Sequence, residues 1–200
     1  METDQTLLDA ARTMDKEALV KIFDLYSPAL FKYALRLCSD PVAADHIVGD
    51  VFAKLLEQLS TGNGPTSNLR SYLYEMTYHR MIDEVRYSRR RAPLDVVESL
   101  RGQAHPAFSS VEDQILFQKL LQALQNELTN DQRNVVVLRF LEDFSLRETA
   151  AVMGKTVDHV KVIQSRAIAA LRRSLAYQGV RKSVPSLRVR NVSKAIGMGN

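Results

Sequence analysis

Ala150, Gly154 and Val160 stand at the spacing that two crossed helices joined by a tight turn require. A small residue at 150 lets the helices approach, Gly154 can take the positive φ that ends the first one, and Val160 packs back on it. Leu146, Val152 and Ile163 complete that small core. The other face of the second helix carries Asp158, His159, Lys161, Val162, Ser165 and Arg166, with Arg147 nearby on the first helix. Such a helix fits the major groove of duplex DNA, its N-terminal part near the base edges. The same spacing also serves an αα-hairpin with no DNA role. A second set lies upstream. Tyr72, Tyr74, Tyr78 and His79 are interleaved with Arg70, Arg80 and Arg86. Aromatics among cations suit single-stranded DNA, where bases stack and phosphates pair. Tyr72 and Tyr78 are equally suited to core packing.

Helices must position both sets, and the apolar periodicity is helical nearly throughout. Residues 15–37 carry Leu19, Ile22, Phe23, Tyr26, Leu30, Tyr33 and Leu37 at three-to-four spacing. Pro28 inside that stripe predicts a kink or break. Residues 42–59 repeat the pattern, residues 60–68 read as a loop, and residues 69–90 as a third long helix. That helix ends in Arg86, Arg89, Arg90 and Arg91, cations that suit a helix C-terminus. Residues 92–112, with Pro93, Gly102 and Pro106, have no sustained period and read as a flexible linker. Helices resume with two capping boxes, Thr129 with Gln132 and Ser145 with Glu148, and a further helix from Thr156 to about Tyr177. The expected fold class is all-α: two small helical domains, 1–91 and 113–177, the second containing the helix-turn-helix. Residues 178–200 form a basic, mobile tail in this reading.

The 200 residues carry a net charge of +4, with 46% hydrophobic and 25% charged residues, which excludes wholesale disorder and fibrous repeats. The charge is unevenly placed. Residues 1–69 are net −4, residues 70–91 net +3, and residues 176–200 net +5. Basic patches after an acidic start suggest two kinds of partner. The single cysteine, Cys38, excludes a disulfide framework. His46, His79, His105 and His159 are scattered, without metal-ligand spacing, and no Gly-rich phosphate loop is present. Neither catalysis nor a cofactor is expected. The start is too acidic for a signal peptide, and no apolar run could span a bilayer, so a cytoplasmic protein without membrane insertion is expected.

Taken together, the sequence resembles a bacterial sigma factor of the sigma-70 family, in its short extracytoplasmic-function class. AADHIVGDVFAKLLEQL looks like the helix that docks on the β′ clamp of RNA polymerase. NLRSYLYEMTYHRMIDEVRYSRRR looks like the promoter-melting helix, with Ile82, Asp83 and Arg86 in pattern. Val160-Lys161, Arg166-Ala167 and Ala170-Leu171-Arg172 fit the recognition-helix pattern. The resemblance implies contacts to core polymerase from His46, Asp50 and Lys54. It implies minus-ten contacts from Ser67, Asn68, Tyr72, His79, Arg80, Arg86, Arg89 and Arg90, with an extruded base held near Ser67 and Asn68. Arg147 and the exposed face of the last helix would read the minus-thirty-five element.

Partners implied are core polymerase through its β′ clamp and β flap, promoter DNA, and an anti-sigma factor. Departures from the family pattern are His46 for an acid, Gly49 for Gln, Tyr72 for Trp, His79 for Asn, and Val162 and Ile163 for polar or basic residues. His79 and Val162 would change base-edge chemistry, so no promoter consensus carries over. A conventional helix-turn-helix regulator, bound to duplex operators as a symmetric dimer, is the alternative. It would need neither the docking helix nor the aromatic-basic one.

Overall fold

The computed structural model describes residues 4–88 and 111–177, and every regular element among them is helical. The first, α1 (Asp4–Arg12), carries no signal the sequence reading used. It buries Leu7, Leu8 and Ala11. Its Asp4 carboxylate accepts a 2.7 Å hydrogen bond from the Tyr26 hydroxyl.

Helix α2 (Lys16–Cys38) starts at Asp15, whose carboxylate accepts the Ala18 N–H at 2.8 Å. It ends at Ser39, at a left-handed φ of 61°. Of the two outcomes expected at Pro28, the break does not occur: one helix runs through it. A mid-helix proline costs about 3 kcal/mol. Burial of Ile22, Tyr26, Leu30 and Tyr33 on both sides of it contributes roughly 1.5–3 kcal/mol per large apolar side chain and outweighs that. Asp40 then caps α3 (Pro41–Ser60) through the N–H groups of Val42 and Ala43, with Pro41 in the first turn. Helix α4 (Leu69–Ser88) buries Leu69, Leu73, Tyr74, Thr77, Tyr78 and Met81 against α2 and α3.

In the second half, α5 (Val111–Glu127) is followed by α6 (Asn130–Val136), which opens on the expected Thr129–Gln132 capping box. A π-helical turn, Val137–Leu141, extends α6. The Glu142 N–H reaches back five residues to the Val137 carbonyl at 3.0 Å. Helix α7 (Leu146–Val152) opens on the second expected capping box, Ser145–Glu148. Helix α8 (Val157–Tyr177) is the last element among the described residues.

One hydrophobic cluster runs from α1–α4 into Val135, Val137, Leu138, Phe144, Ala150, Val152, Met153, Val160 and Ile163. A smaller one joins α5, α6 and α8 through Leu121, Leu124, Leu128, Val136, Ala167 and Leu171. The two halves therefore share a core, and α4 packs on α7. Residues 89–110, which hold Arg89, Arg90 and most of the expected linker, and the tail 178–200 lie outside the described residues.

Candidate nucleic-acid interface

The turn between α7 and α8 is built as the spacing required. Ala150 and Val160 are buried at the crossing, and Gly154 takes a φ of 58°. The Lys155 N–H donates to the Ala150 carbonyl at 2.9 Å. Thr156 caps α8 by accepting the His159 N–H at 3.2 Å. With the inner face so fixed, Asp158, His159, Lys161, Val162, Ser165 and Arg166 all lie exposed on the outer face, and Arg147 is exposed on α7.

Lys161 sits 3.0 Å from Asp158. An exposed pair of this kind is worth about 0–1 kcal/mol, so the ammonium can exchange it for a phosphate. Val162 is 47% exposed, an apolar side chain on an otherwise polar face. Behind this face, Arg139 holds Gln164 at 3.3 Å and donates to the Phe144 carbonyl, which ties α8 to the residues before α7.

The upstream candidates divide. Ser67 and Asn68 are exposed in the loop before α4, and Asn68 has a φ of 52°. That loop is tethered by α1: Gln5 donates to the Thr66 carbonyl at 3.0 Å, and Arg12 to the Pro65 carbonyl at 3.3 Å. These two positioning residues escaped the sequence reading. The Leu7–Leu8–Ala11 stripe was the available signal, too short to stand out. Tyr72 is half-buried, and His79 and Arg80 are exposed on α4. Arg86 lies on α4 outside the described side chains.

Tyr74 and Tyr78 are not available to stack on bases in this arrangement; for Tyr78 this is the core packing that the sequence left equally open. Tyr74 packs its ring 5.0 Å from Tyr33 and 4.7 Å from Phe144 and donates to Glu142 at 2.6 Å. Burial, reinforced by Glu142, raises its pKa far above the ordinary phenol value. Tyr78 is hydrogen-bonded to Asp131, and burial pushes its pKa up to about 12.

The docking candidates His46, Asp50 and Lys54 are exposed along α3. Arg80 places its guanidinium on Asp50, at 2.8 Å from Nε and 2.5 Å from Nη2. The two sets therefore meet. Asp50, Lys54 and Glu57 of α3 face His79, Arg80 and Asp83 of α4 across an open groove of about 600 Å³. Gly49 has open space where a side chain would stand, so nothing steric in this chain explains the missing glutamine. Among the described residues, no cluster of His, Cys, Asp or Glu could hold a metal, and no helix is long and apolar enough to cross a membrane.

Comparison with known proteins bears on both halves. Residues 22–91 match the family model for Sigma-70 region 2, and residues 126–173 match that for Sigma-70, region 4. The chain is 28% identical over 173 residues to the ECF RNA polymerase sigma factor BldN of Streptomyces coelicolor. That match covers 84% of this chain but 64% of the relative, so the chain spans less than two thirds of that relative's length. It is 25% identical over 171 residues to the ECF RNA polymerase sigma factor SigX of Bacillus subtilis, covering 80% of this chain and 84% of the relative. The solved structure of the sigma factor RpoE in complex with the anti-sigma factor NepR from Bartonella quintana superposes with a TM-score of 0.60 at 26% identity. It covers 78% of this chain and 95% of that one. CnrH, solved with the cytosolic domain of CnrY, shares the fold, with a TM-score of 0.66 at 21% identity over 87% of this chain and 97% of that one.

Proposed function

The chain belongs to the sigma-70 family, in its extracytoplasmic-function class, and on that premise we propose that it binds core RNA polymerase and directs it to specific promoters to initiate transcription. The observation that carries the reading is the pairing of two exposed faces in one chain. Helix α3 presents His46, Asp50 and Lys54 beside the α3–α4 groove, and α8 presents a reading face from Asp158 to Arg166. The first docks on the β′ clamp. The second half sits on the β flap and reads the minus-thirty-five element. Ser67, Asn68, Tyr72, His79, Arg80 and Arg86, with Arg89 and Arg90 beyond the described residues, serve the minus-ten element.

The chain acts as a DNA-binding factor and not as an enzyme, working on polymerase in the cytoplasm. Bond making belongs to the polymerase. Two small modules bound to one large partner gain affinity through effective concentration, so the free chain binds promoter DNA weakly. An anti-sigma partner is part of the proposal, supported by the RpoE–NepR complex. The test is run-off transcription with core polymerase on pooled genomic fragments. Discrete transcripts that need this protein support the reading and give the promoter from their start sites. Tight binding to duplex DNA without any complex with core would replace it by the operator-binding regulator.

A further inference from the structure

The loop that offers Ser67 and Asn68 is fixed at both ends and clipped in between from a distant element. At its start it is stitched to the end of α3: the Gly62 N–H donates to the Leu59 carbonyl at 3.1 Å and the Asn63 N–H to the Gln58 carbonyl at 2.9 Å. Gly64 runs so close to Leu59 that a Cβ there would meet its Cδ2 at 2.6 Å. At its exit Asn68 turns left-handed, and its carbonyl accepts the Tyr72 N–H at 3.1 Å. Between these ends the carbonyls of Pro65 and Thr66 accept from Arg12 and Gln5 of α1.

Helix α1 is equipped for this hold. Gln5, Asp9 and Arg12 follow each other at i, i+4 and i+7, along one face of the helix. The Gln5 Nε2 carries two N–H groups and lies 2.9 Å from Asp9 Oδ1 and 3.0 Å from the Thr66 carbonyl, so the bond to Asp9 orients the amide for the loop. A separate stripe, Leu7, Leu8 and Ala11, is buried and anchors the helix, as does the bond from the Tyr26 hydroxyl to Asp4. All of this lies before residue 22, where the match to Sigma-70 region 2 begins. The clip therefore comes from outside the matched segment. Its two donors are exposed side chains on carbonyls, so each bond is weak and the fold does not depend on either.

We propose that α1 is a positioning element for base capture: Gln5 and Arg12 hold the 65–66 carbonyls so that Ser67 and Asn68 meet an extruded minus-ten base already in place. Taking a base out of the stack is costly, and a receiving loop that must also be ordered at that moment adds its own entropy to the cost. A loop ordered beforehand spares that second cost, which is how preorganisation raises affinity. The base in this account rests on the sigma-factor reading, but the order of the loop is measurable on the free chain. In this role Gln5 and Arg12 touch neither base nor phosphate. Losing both weakens capture on the order of tenfold, the worth of two modest hydrogen bonds.

The experiment has two arms. The first reads the mobility of a spin label at Ser67→Cys, an exposed position, in a Cys38→Ala background of the full chain. The parent label is restricted, and in Gln5→Ala/Arg12→Ala it becomes mobile at unchanged helicity by circular dichroism. A label already mobile in the parent, or equally restricted in the variant, would overturn the clip. If the double variant loses helicity, Gln5→Glu, which removes the donor at constant size, decides alone by the same criteria. The second arm uses the unlabelled chain, with Cys38 and Ser67 in place, bound to core polymerase. Its probe is a fork DNA, single-stranded in the non-template strand through the minus-ten element, built on a promoter that run-off transcription gives. The double variant binds this probe about tenfold more weakly than the parent. An abasic site moved along the single strand abolishes the difference at one position, where the captured base is then missing for both proteins. A difference that survives every abasic site, or no difference on the intact strand, would overturn the positioning role. Arg12→Ala leaves the salt slope of binding unchanged, and a slope shallower by about 0.7 would make Arg12 a phosphate contact instead. Absence of any complex with core would overturn the sigma-factor reading and the role in base capture, while the dependence of loop order on Gln5 and Arg12 would still stand.

Discussion

Helices α4 and α8 both carry candidate DNA contacts, yet they present them differently. On α8 every candidate from Asp158 to Arg166 faces outward, because Val160, Ile163, Ala167 and Leu171 claim the inner face. On α4 the aromatics split: Tyr72 is half-buried, while Tyr74 and Tyr78 turn inward and meet Phe144 and Asp131 of the other half. The difference follows from side-chain chemistry. Charged and short polar groups have one favourable place on an amphipathic helix. A tyrosine has two, since its ring prefers burial and its hydroxyl accepts it whenever a partner is near. Glu142 and Asp131 supply those partners.

Substitutions on the two helices should separate these roles. Tyr74→Ala removes a ring packed between Tyr33 and Phe144 and should cost about 3–5 kcal/mol in urea unfolding, while Tyr72→Ala should cost far less. Equal losses would erase the contrast within α4. On α8, Lys161→Ala or Arg166→Ala should leave stability within roughly 0.5 kcal/mol of the parent. Promoter binding by the holoenzyme should weaken by about 1–3 kcal/mol where the residue reads a base, with specificity relaxed at one position. A stability loss there instead would mean that the face is not free.

Smaller effects sharpen the contrast between buried and exposed polar groups. Ser145→Ala removes a cap on α7 and should lower stability by about 1 kcal/mol. Thr149 is fully buried on α7, and its hydroxyl has no hydrogen-bond partner. Thr149→Val should therefore raise stability, by up to about 1 kcal/mol in the same assay.

Two carboxylates should respond to pH with opposite signs. Hydrogen bonds with Ser145 hold Glu148 below the ordinary 4.5, so its contribution is present above that pH and is lost as acid titrates the folded form. Burial holds Glu142 above 4.5, against the pull of Tyr74, Arg36, Arg70 and Lys32. Its contribution is full below 4.5 and is lost as pH rises through its folded value. Stability measured across mildly acid pH for Glu148→Gln and Glu142→Gln should deviate from the parent in opposite directions.

Most of the helices, both capping boxes and the helix-turn-helix were legible in the sequence, because each rests on local spacing. At Pro28 the sequence left a kink or a break open, since a local penalty says nothing of the burial on either side that keeps the helix continuous. Helix α1 and its hold on the 65–66 carbonyls went unread, because its apolar stripe is only Leu7, Leu8 and Ala11. The bonds that Glu142 accepts could not be read at all: Arg36, Arg70 and Tyr74, which donate them, lie 68 to 106 residues from it along the chain. The α3–α4 groove was half legible, its two walls appearing as separate sites.

The π-helical turn at Val137–Leu141 has a consequence on the scale of inheritance. Its single extra residue sets where the following carboxylate points. Losing one codon from that turn would restore ordinary helical spacing and swing Glu142 by about 100° around the helix axis. A lineage could thus lose the bonds of Glu142 to Arg36 and Tyr74 in one mutational step, leaving the exposed residues of α3 and the outer face of α8 untouched.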